Sequence, residues 1–390
     1  MTHTPRRAWL VLAGCFVMAT GFNAYLLGPA SLIPLIVGEF PIDKPAAGLA
    51  ISAVFLSWTL FQIPGGLLMD RYDNRLLVWG GVGIFGLAAV AGTLVPTYDQ
   101  FLLTRFVGGI AAVFLWTANA NIVAQRFPES GRAVATSLFV TSAPAGATIA
   151  QFAGPRIAAA AGWRSVLVVY PLVTLLGAPL FYAALRDPVR NEASLDLSTF
   201  ARTLRRPAIL LVSLSSFCAY SLFVFFNSWM PTYATEVMRV DLASAGAMTA
   251  LVPLVGFLAR PGGGWLSDRI GGRRRPVIAA AFALAIPVFV AIGTVTSLAG
   301  FGALLLLAGL ASQLGTGVFY VFVNELSSPE TQGTSLAVLT TLSMAGALVA
   351  PVVAGWLIES VSWTAAFAFG GALALVGVGS IALAPRTTAG

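Results

Sequence analysis

The residue with the most chemistry to explain is Arg105, the only charged side chain between Asp99 and Arg126. An arginine inside a membrane helix costs about 2.5–3.5 kcal/mol on insertion scales, so it faces a cavity or a partner. The alternative is a side chain near the outer end of its helix that reaches the headgroups. Helical steps place Arg105, Gly109, Ala112, Trp116 and Asn119 on one face. A guanidinium reads carboxylates through two parallel hydrogen bonds, so the chemistry on offer is anion recognition. Two more polar stripes lie in apolar surroundings: Tyr220, Phe223 and Asn227, and then Gln313, Thr316, Tyr320 and Asn324. Asn23 and Tyr25 sit in the first apolar run. Such stripes either bond to a neighbouring helix or line water.

Other chemistry is missing from the apolar runs. No Asp or Glu falls near the middle of one; Glu39, Glu325 and Glu359 lie near their ends. Cys15 and Cys218 have no metal spacing, and the single histidine, His3, is in the tail. No nucleophile, metal or cofactor site can be assembled, so an enzyme is not expected. A proton-driven exporter of cationic drugs usually relies on a membrane-embedded carboxylate, and none is present.

The elements that must position these residues are membrane helices. The chain is 58 % hydrophobic and 9 % charged, against about 25 % charged residues in soluble proteins. Runs long enough to span a bilayer fall near 8–36, 47–68, 76–96, 100–125, 133–156, 164–185, 208–231, 243–265, 276–297, 299–323, 333–358 and 362–384. Of the 22 Lys and Arg residues, 17 fall in alternate connections, with Arg260 counted in the group ending at Arg275. That asymmetry puts both termini in the cytoplasm of a prokaryotic-type inner membrane, and it makes the net charge of +7 a topology signal rather than a nucleic-acid surface. Arg6-Arg7 before an apolar run imitates a secretory signal, but the run has a counterpart near 208–231. The expected division is a six-helix bundle over 1–185, a cytoplasmic linker over 186–207 with an amphipathic segment at Leu195–Leu204, and a second six-helix bundle over 208–390.

The halves repeat. Gly65-Gly66, Asp70-Arg71 and Arg75 return 198 residues later as Gly263-Gly264, Asp268-Arg269 and Arg273. Gly146-Ala147 and Trp163 return 200 residues later as Gly346-Ala347 and Trp363. The charged loops resemble the Gly-x-x-x-Asp-Arg-x-Gly-x-Arg signature of the major facilitator superfamily, with Asp73 standing where the first copy would have glycine. The resemblance implies an all-α integral membrane protein, two six-helix bundles related by a pseudo-two-fold axis. It implies that helices 1, 4, 7 and 10 line a substrate cavity, which makes Asn23, Tyr25, Arg105, Trp116, Asn119, Tyr220, Asn227, Gln313, Tyr320 and Asn324 the candidate site. It also implies that Gly66, Asp70, Arg71, Arg75, Gly264, Asp268, Arg269 and Arg273 form a conformational latch.

The run from Ala259 to Asp268, and Arg126-Phe127-Pro128-Glu129, look like the organic-anion and nitrate branches. The paired mid-helix arginines of nitrate carriers are not seen in helices 2 and 8. The expected function is a monomeric secondary carrier for a small organic anion, coupled to H+, Na+ or a counter-anion, with the lipid bilayer as its other partner. The rivals are a proton-coupled drug or metabolite efflux antiporter, and a non-transporting sensor or lipid-handling protein.

Overall fold

The computed structural model describes residues 6–190, 202–328 and 331–385, and these are almost wholly helical. Much of the expected amphipathic segment at 195–204 lies outside them. In order come α1 (Arg6–Glu39), α2 (Lys44–Arg71), α3 (Asn74–Leu94) and α4 (Tyr98–Arg126). Two shorter helices, Glu129–Val140 and Ser142–Ala161, follow and together make α5. Then come α6 (Trp163–Ala184), α7 (Pro207–Glu236), α8 (Leu242–Arg269), α9 (Arg274–Ile292), α10 (Leu298–Glu325), α11 (Gln332–Ser360) and α12 (Trp363–Leu383). Among the described residues eleven of these are long and apolar enough to cross a membrane, and α5 is not one of them. It breaks at Thr141 and carries alanines, Gln151 and Arg156 where a self-sufficient span would carry leucines.

The chain forms two compact units, Met1–Pro41 with Ala53–Ser194, and Ile42–Ser52 with Leu195–Gly390. In the first, α1 packs chiefly on α5 and α6; in the second, α7 packs chiefly on α11 and α12. The duplication reaches the helix caps. Asp43 accepts from the Ala46 N–H and Asp241 from the Ser244 N–H, 198 residues apart. Thr97 caps α4 and Ser297 caps α10, 200 residues apart. Such caps satisfy N–H groups that the first helical turn leaves unpaired. The offset grows by two across the charged loop because Gly271 and Gly272 are extra there, with φ of +80° and +71°. Only glycine adopts such angles without strain. The first copy has no such insertion, and Asp73 instead caps α3 by accepting from the Arg75 N–H.

Four helices are irregular where polar side chains gather. Helix α1 is α-helical to Leu27 and then tightens to a 3-10 turn over Gly28–Leu32. Helix α4 contains a π segment at Val113–Ala118, a distortion often found at functional sites. Helix α10 breaks between Gln313 and Thr316, and α8 at Ala250 and Val255.

Candidate substrate site

Arg105 is fully buried and does not reach for headgroups. Its Nη1 donates to the Tyr25 carbonyl at 2.9 Å and its Nη2 to the Leu26 carbonyl at 2.8 Å. The guanidinium also lies 4.2 Å over the Tyr25 ring. The cause is in the sequence of α1. In an unbroken helix the Tyr25 carbonyl would accept from residue 29, but residue 29 is Pro, which has no N–H. Arg105 supplies the missing donors, and a cation at a helix C-terminal end also meets the negative end of its dipole.

The other expected residues of the first unit turn inward in the same way. Asn23 donates to the Ala19 carbonyl at 2.7 Å and Asn119 to the Leu115 carbonyl at 3.0 Å, each four residues back in its own helix. Cys15 reaches the Asn119 side-chain oxygen at 3.5 Å. Trp116 is half-buried between Trp58 and Phe139, with ring centroids at 6.3 and 5.2 Å.

The second unit gathers its polar residues around a side chain that the sequence reading placed in a loop. Arg260 lies within α8, nine residues before the end of the helix at Arg269, or about 13 Å of helix rise. Its Nε donates to Gln313 Oε1 at 3.1 Å. Gln313 is itself held, donating from Nε2 to the Val252 carbonyl at 2.8 Å. The Arg260 guanidinium stands 5.9 Å from the centre of the Phe223 ring, with Tyr220 and Tyr320 close enough to interact with its charge. No carboxylate lies within ion-pair distance of it among the described residues, and it is half-buried rather than sealed. One turn beyond Tyr320, the Asn324 side-chain oxygen is buried without a partner among the described residues. Asn227 bonds back to the Phe223 carbonyl at 2.8 Å. Thus Tyr220, Gln313 and Tyr320, all named from the sequence, converge on an arginine that was not.

Pro261 and the three glycines after it made this stretch look like a turn. In the structure the glycines are helical, and one of them, Gly263, serves close packing. A Cβ on Gly263 would collide with the Leu314 carbonyl at the break in α10, whereas one on Gly264 would meet nothing within 4 Å. The repeat carried the missing signal. Gln62, inside α2, is the residue 198 before Arg260, and the run 243–265 already enclosed Arg260.

The charged loops differ in detail from their shared spacing. Arg75 pairs with Asp73 at 2.6 Å and donates to the Leu185 and Arg186 carbonyls at the end of α6. In the second unit Arg275, not Arg273, does the corresponding work on the Ile381 and Ala382 carbonyls of α12. Asp268 pairs with Arg274 at 2.5 Å, and Arg274 pairs with Glu325 at 2.8 Å, joining the ends of α8, α9 and α10. Neither Arg274 nor Glu325 was expected in the latch. Arg269 lies 5.1 Å over Trp265. Gly66 is buried, Asp70 is half-buried, and Arg71 and Arg273 are exposed. Burial alone would raise the Asp73 carboxyl, but hydrogen bonds from Arg75 and the Val189 N–H, with the Arg75 charge, hold it below its ordinary value.

The sequence profile described as Major Facilitator Superfamily matches residues 12–313. The chain belongs to the major facilitator superfamily. It is a multi-pass membrane transporter of that superfamily with the all-helical fold. This superfamily member is 26 % identical to the 3-(3-hydroxy-phenyl)propionate transporter of Escherichia coli, over 91 % of this chain and 89 % of that one. It is 27 % identical to the probable nitrate/nitrite antiporter NarK1 of Thermus thermophilus, over 69 % of this chain and 63 % of the relative. Its fold is similar to that of a bacterial homologue of the human lysosomal transporter Spinster, solved inward-facing and unoccupied. The TM-score is 0.76 at 17 % identity, covering 98 % of this chain and 95 % of that one.

Proposed function

We propose that this transporter carries a small organic anion by alternating access, and that Arg260 binds its carboxylate. The observation that carries the reading is a half-buried arginine inside a membrane helix, bonded through one nitrogen to Gln313, with no carboxylate beside it. An arginine stays protonated at any physiological pH, and the terminal nitrogens of Arg260, unlike those of Arg105, meet no acceptor among the described residues. A carboxylate can take the two terminal nitrogens in a bidentate pair. Phe223, Tyr220 and Tyr320 around it favour an acid with an apolar or aromatic tail over a bare inorganic ion. Two relatives whose names specify anions, nitrate or nitrite and hydroxyphenylpropionate, support the charge sign. One cation matches one carboxylate.

The same residues bear on coupling. All 15 Asp and Glu residues lie in connections or near helix ends, so no carboxylate at mid-membrane can carry a proton alongside the anion. A bare guanidinium in a low-dielectric passage is costly, so the carrier crosses most readily with an anion bound in each direction. A counter-anion is therefore the coupling partner in this reading. The test is uptake into proteoliposomes across monocarboxylates, dicarboxylates, nitrate and organic cations, with and without a trapped internal anion. Uptake of a monocarboxylate accelerated several-fold by internal anion is the expected result. Transport of cations without carboxylates would overturn the assignment of cargo, and uptake indifferent to the internal anion would overturn the exchange.

A further inference from the structure

On the cytoplasmic side of the second unit, a cleft of about 520 Å3 opens between the start of α9 and the end of α12. Three consecutive arginines, Arg273 to Arg275, line it with Ala279, Ile381 and Ala382. Two of the three guanidinium groups have protein partners. Arg274 is held by Asp268 and Glu325, and Arg275 by the carbonyls of Ile381 and Ala382. Arg273 is exposed; its carbonyl accepts from the Ser267 hydroxyl at 3.1 Å, and its guanidinium has no partner among the described residues.

The repeat shows what a groove at this position takes. At an offset of 200, Arg273 and Arg274 correspond to Asp73 and Asn74. In the first unit those two residues hold the chain that follows α6. The Val189 N–H donates to Asp73 Oδ1 at 3.0 Å, the Asn74 N–H donates to the Val189 carbonyl at 2.8 Å, and Val189 is buried. A carboxylate recruits a backbone N–H. In the second unit a cation replaces that carboxylate, and a guanidinium can only donate. Its occupant must present acceptor oxygens, best with negative charge. The cleft has an apolar floor in Ala279 and Ile381, and Leu383 beside it is 75 % exposed at the end of a membrane span. The cytoplasmic leaflet offers anionic headgroups at that depth, and basic pockets between helices there are suited to them.

We propose that this cleft binds the phosphate headgroup of an anionic phospholipid, with Arg273 donating to it and the acyl chains running down the outer face of α9 and α12. The occupant needs no substrate and no transport, so the proposal stands apart from the cargo.

The test uses the full chain purified in detergent. Retention of phosphatidylglycerol, phosphatidylcholine or inorganic phosphate is read by native mass spectrometry. Phosphatidylglycerol is expected to be retained over phosphatidylcholine. Arg273→Gln should weaken that retention about fivefold, the effect of about 1 kcal/mol per basic residue near an anionic surface. Arg132→Gln, which removes the same charge from the exposed first turn of α5, should leave it unchanged. Ala279→Phe, which fills the cleft and alters no charge, should also lose the lipid. Equal retention of both lipids, equal effects of Arg273→Gln and Arg132→Gln, or full retention in Ala279→Phe would each overturn the proposal. So would inorganic phosphate binding that depends on Arg273 without any lipid preference.

Discussion

Replacing Arg260 with glutamine separates the two intrahelical arginines by what each one holds. In the wild type Nε is already spent on Gln313 at 3.1 Å, so Nη1 and Nη2 are the donors left for a carboxylate. Hydrogen bonds to a charged group are worth about 1.5–3 kcal/mol. Because Arg260 is half-buried rather than sealed, the pair together is placed at about 2–3 kcal/mol, or roughly 30- to 150-fold in Kd. Folding stability should hardly move. The loss of one bond to Gln313, about 1 kcal/mol, is offset by no longer burying a charge. Arg105→Gln makes the opposite pattern. It strands two buried carbonyls, Tyr25 and Leu26, of which a glutamine amide can recover one. The cost is about 2 kcal/mol, or roughly 4–8 °C in Tm for a unit of this size. Anion affinity should survive in the protein that remains folded. The assay pairs thermal unfolding in detergent with equilibrium binding of whichever carboxylate the wild type transports best. Two results would refute the reasoning: Arg260→Gln retaining its Kd within about threefold, or Arg105→Gln abolishing binding at an unchanged Tm.

Pro29→Ala restores the N–H that the Tyr25 carbonyl lacks, so it should recover much of the Tm lost in Arg105→Gln; additive losses in the double variant would show the carbonyls are not the reason for Arg105. Gly263→Ala should cost about 1–3 kcal/mol by overpacking against the Leu314 carbonyl, while Gly264→Ala should be tolerated, which a pair of Tm measurements decides. For Asp73 the folded-state pKa is lowered, first against burial and then by its bonds from Arg75 and Val189. Its contribution to stability is therefore complete above the unfolded-state value of about 4 and is lost as pH falls through the folded one. Tm from pH 7 to 5 should be flat for this group, and the acid-side decline should be shallower in Asp73→Asn than in wild type.

The membrane helices were legible because bilayer thickness forces each span to declare itself in roughly twenty apolar residues, and the duplication gave an independent check. The helix that fell short, α5, is the one whose apolar character comes from alanine and from packing partners rather than from its own leucines. The site was legible only by residue type. Gln313, Tyr220 and Tyr320 announced themselves as polar groups in lipid, but whether such groups bond inward or face a cavity depends on rotamers and helix breaks that spacing does not encode. Arg105 illustrates the difficulty, since its partner is a carbonyl freed by a proline 76 positions earlier. Arg260 illustrates the converse. Proline and glycine read as turn residues in water, yet inside a bundle the same residues let two helices touch, and a cation among them was taken for a loop charge.

The repeat makes the contrast between the two arginines sharper than burial alone. Residue 305, at an offset of 200 from Arg105, is leucine, and residue 62, at an offset of 198 from Arg260, is glutamine. Each unit thus carries an arginine inside a membrane helix where its twin carries none, so neither follows from the shared architecture. Arg105 is explained by a local fault in α1, the 3-10 turn after Leu27; its twin α7 carries Pro231 yet runs helical without interruption from Pro207 to Glu236. Breaks also lie near Arg260, in α8 at Val255 and in α10 after Gln313, but Arg260 bonds to the Gln313 side chain rather than to a freed carbonyl. In the first unit Gln62 accepts from Trp58 at 3.0 Å and faces Thr117 at 3.5 Å, a neutral cluster complete in itself. Substituting a cation at the matching place adds a desolvation cost without relieving any backbone need. A charge kept against that cost, at a position where the first unit works with an amide, is what the proposed binding of an anion accounts for.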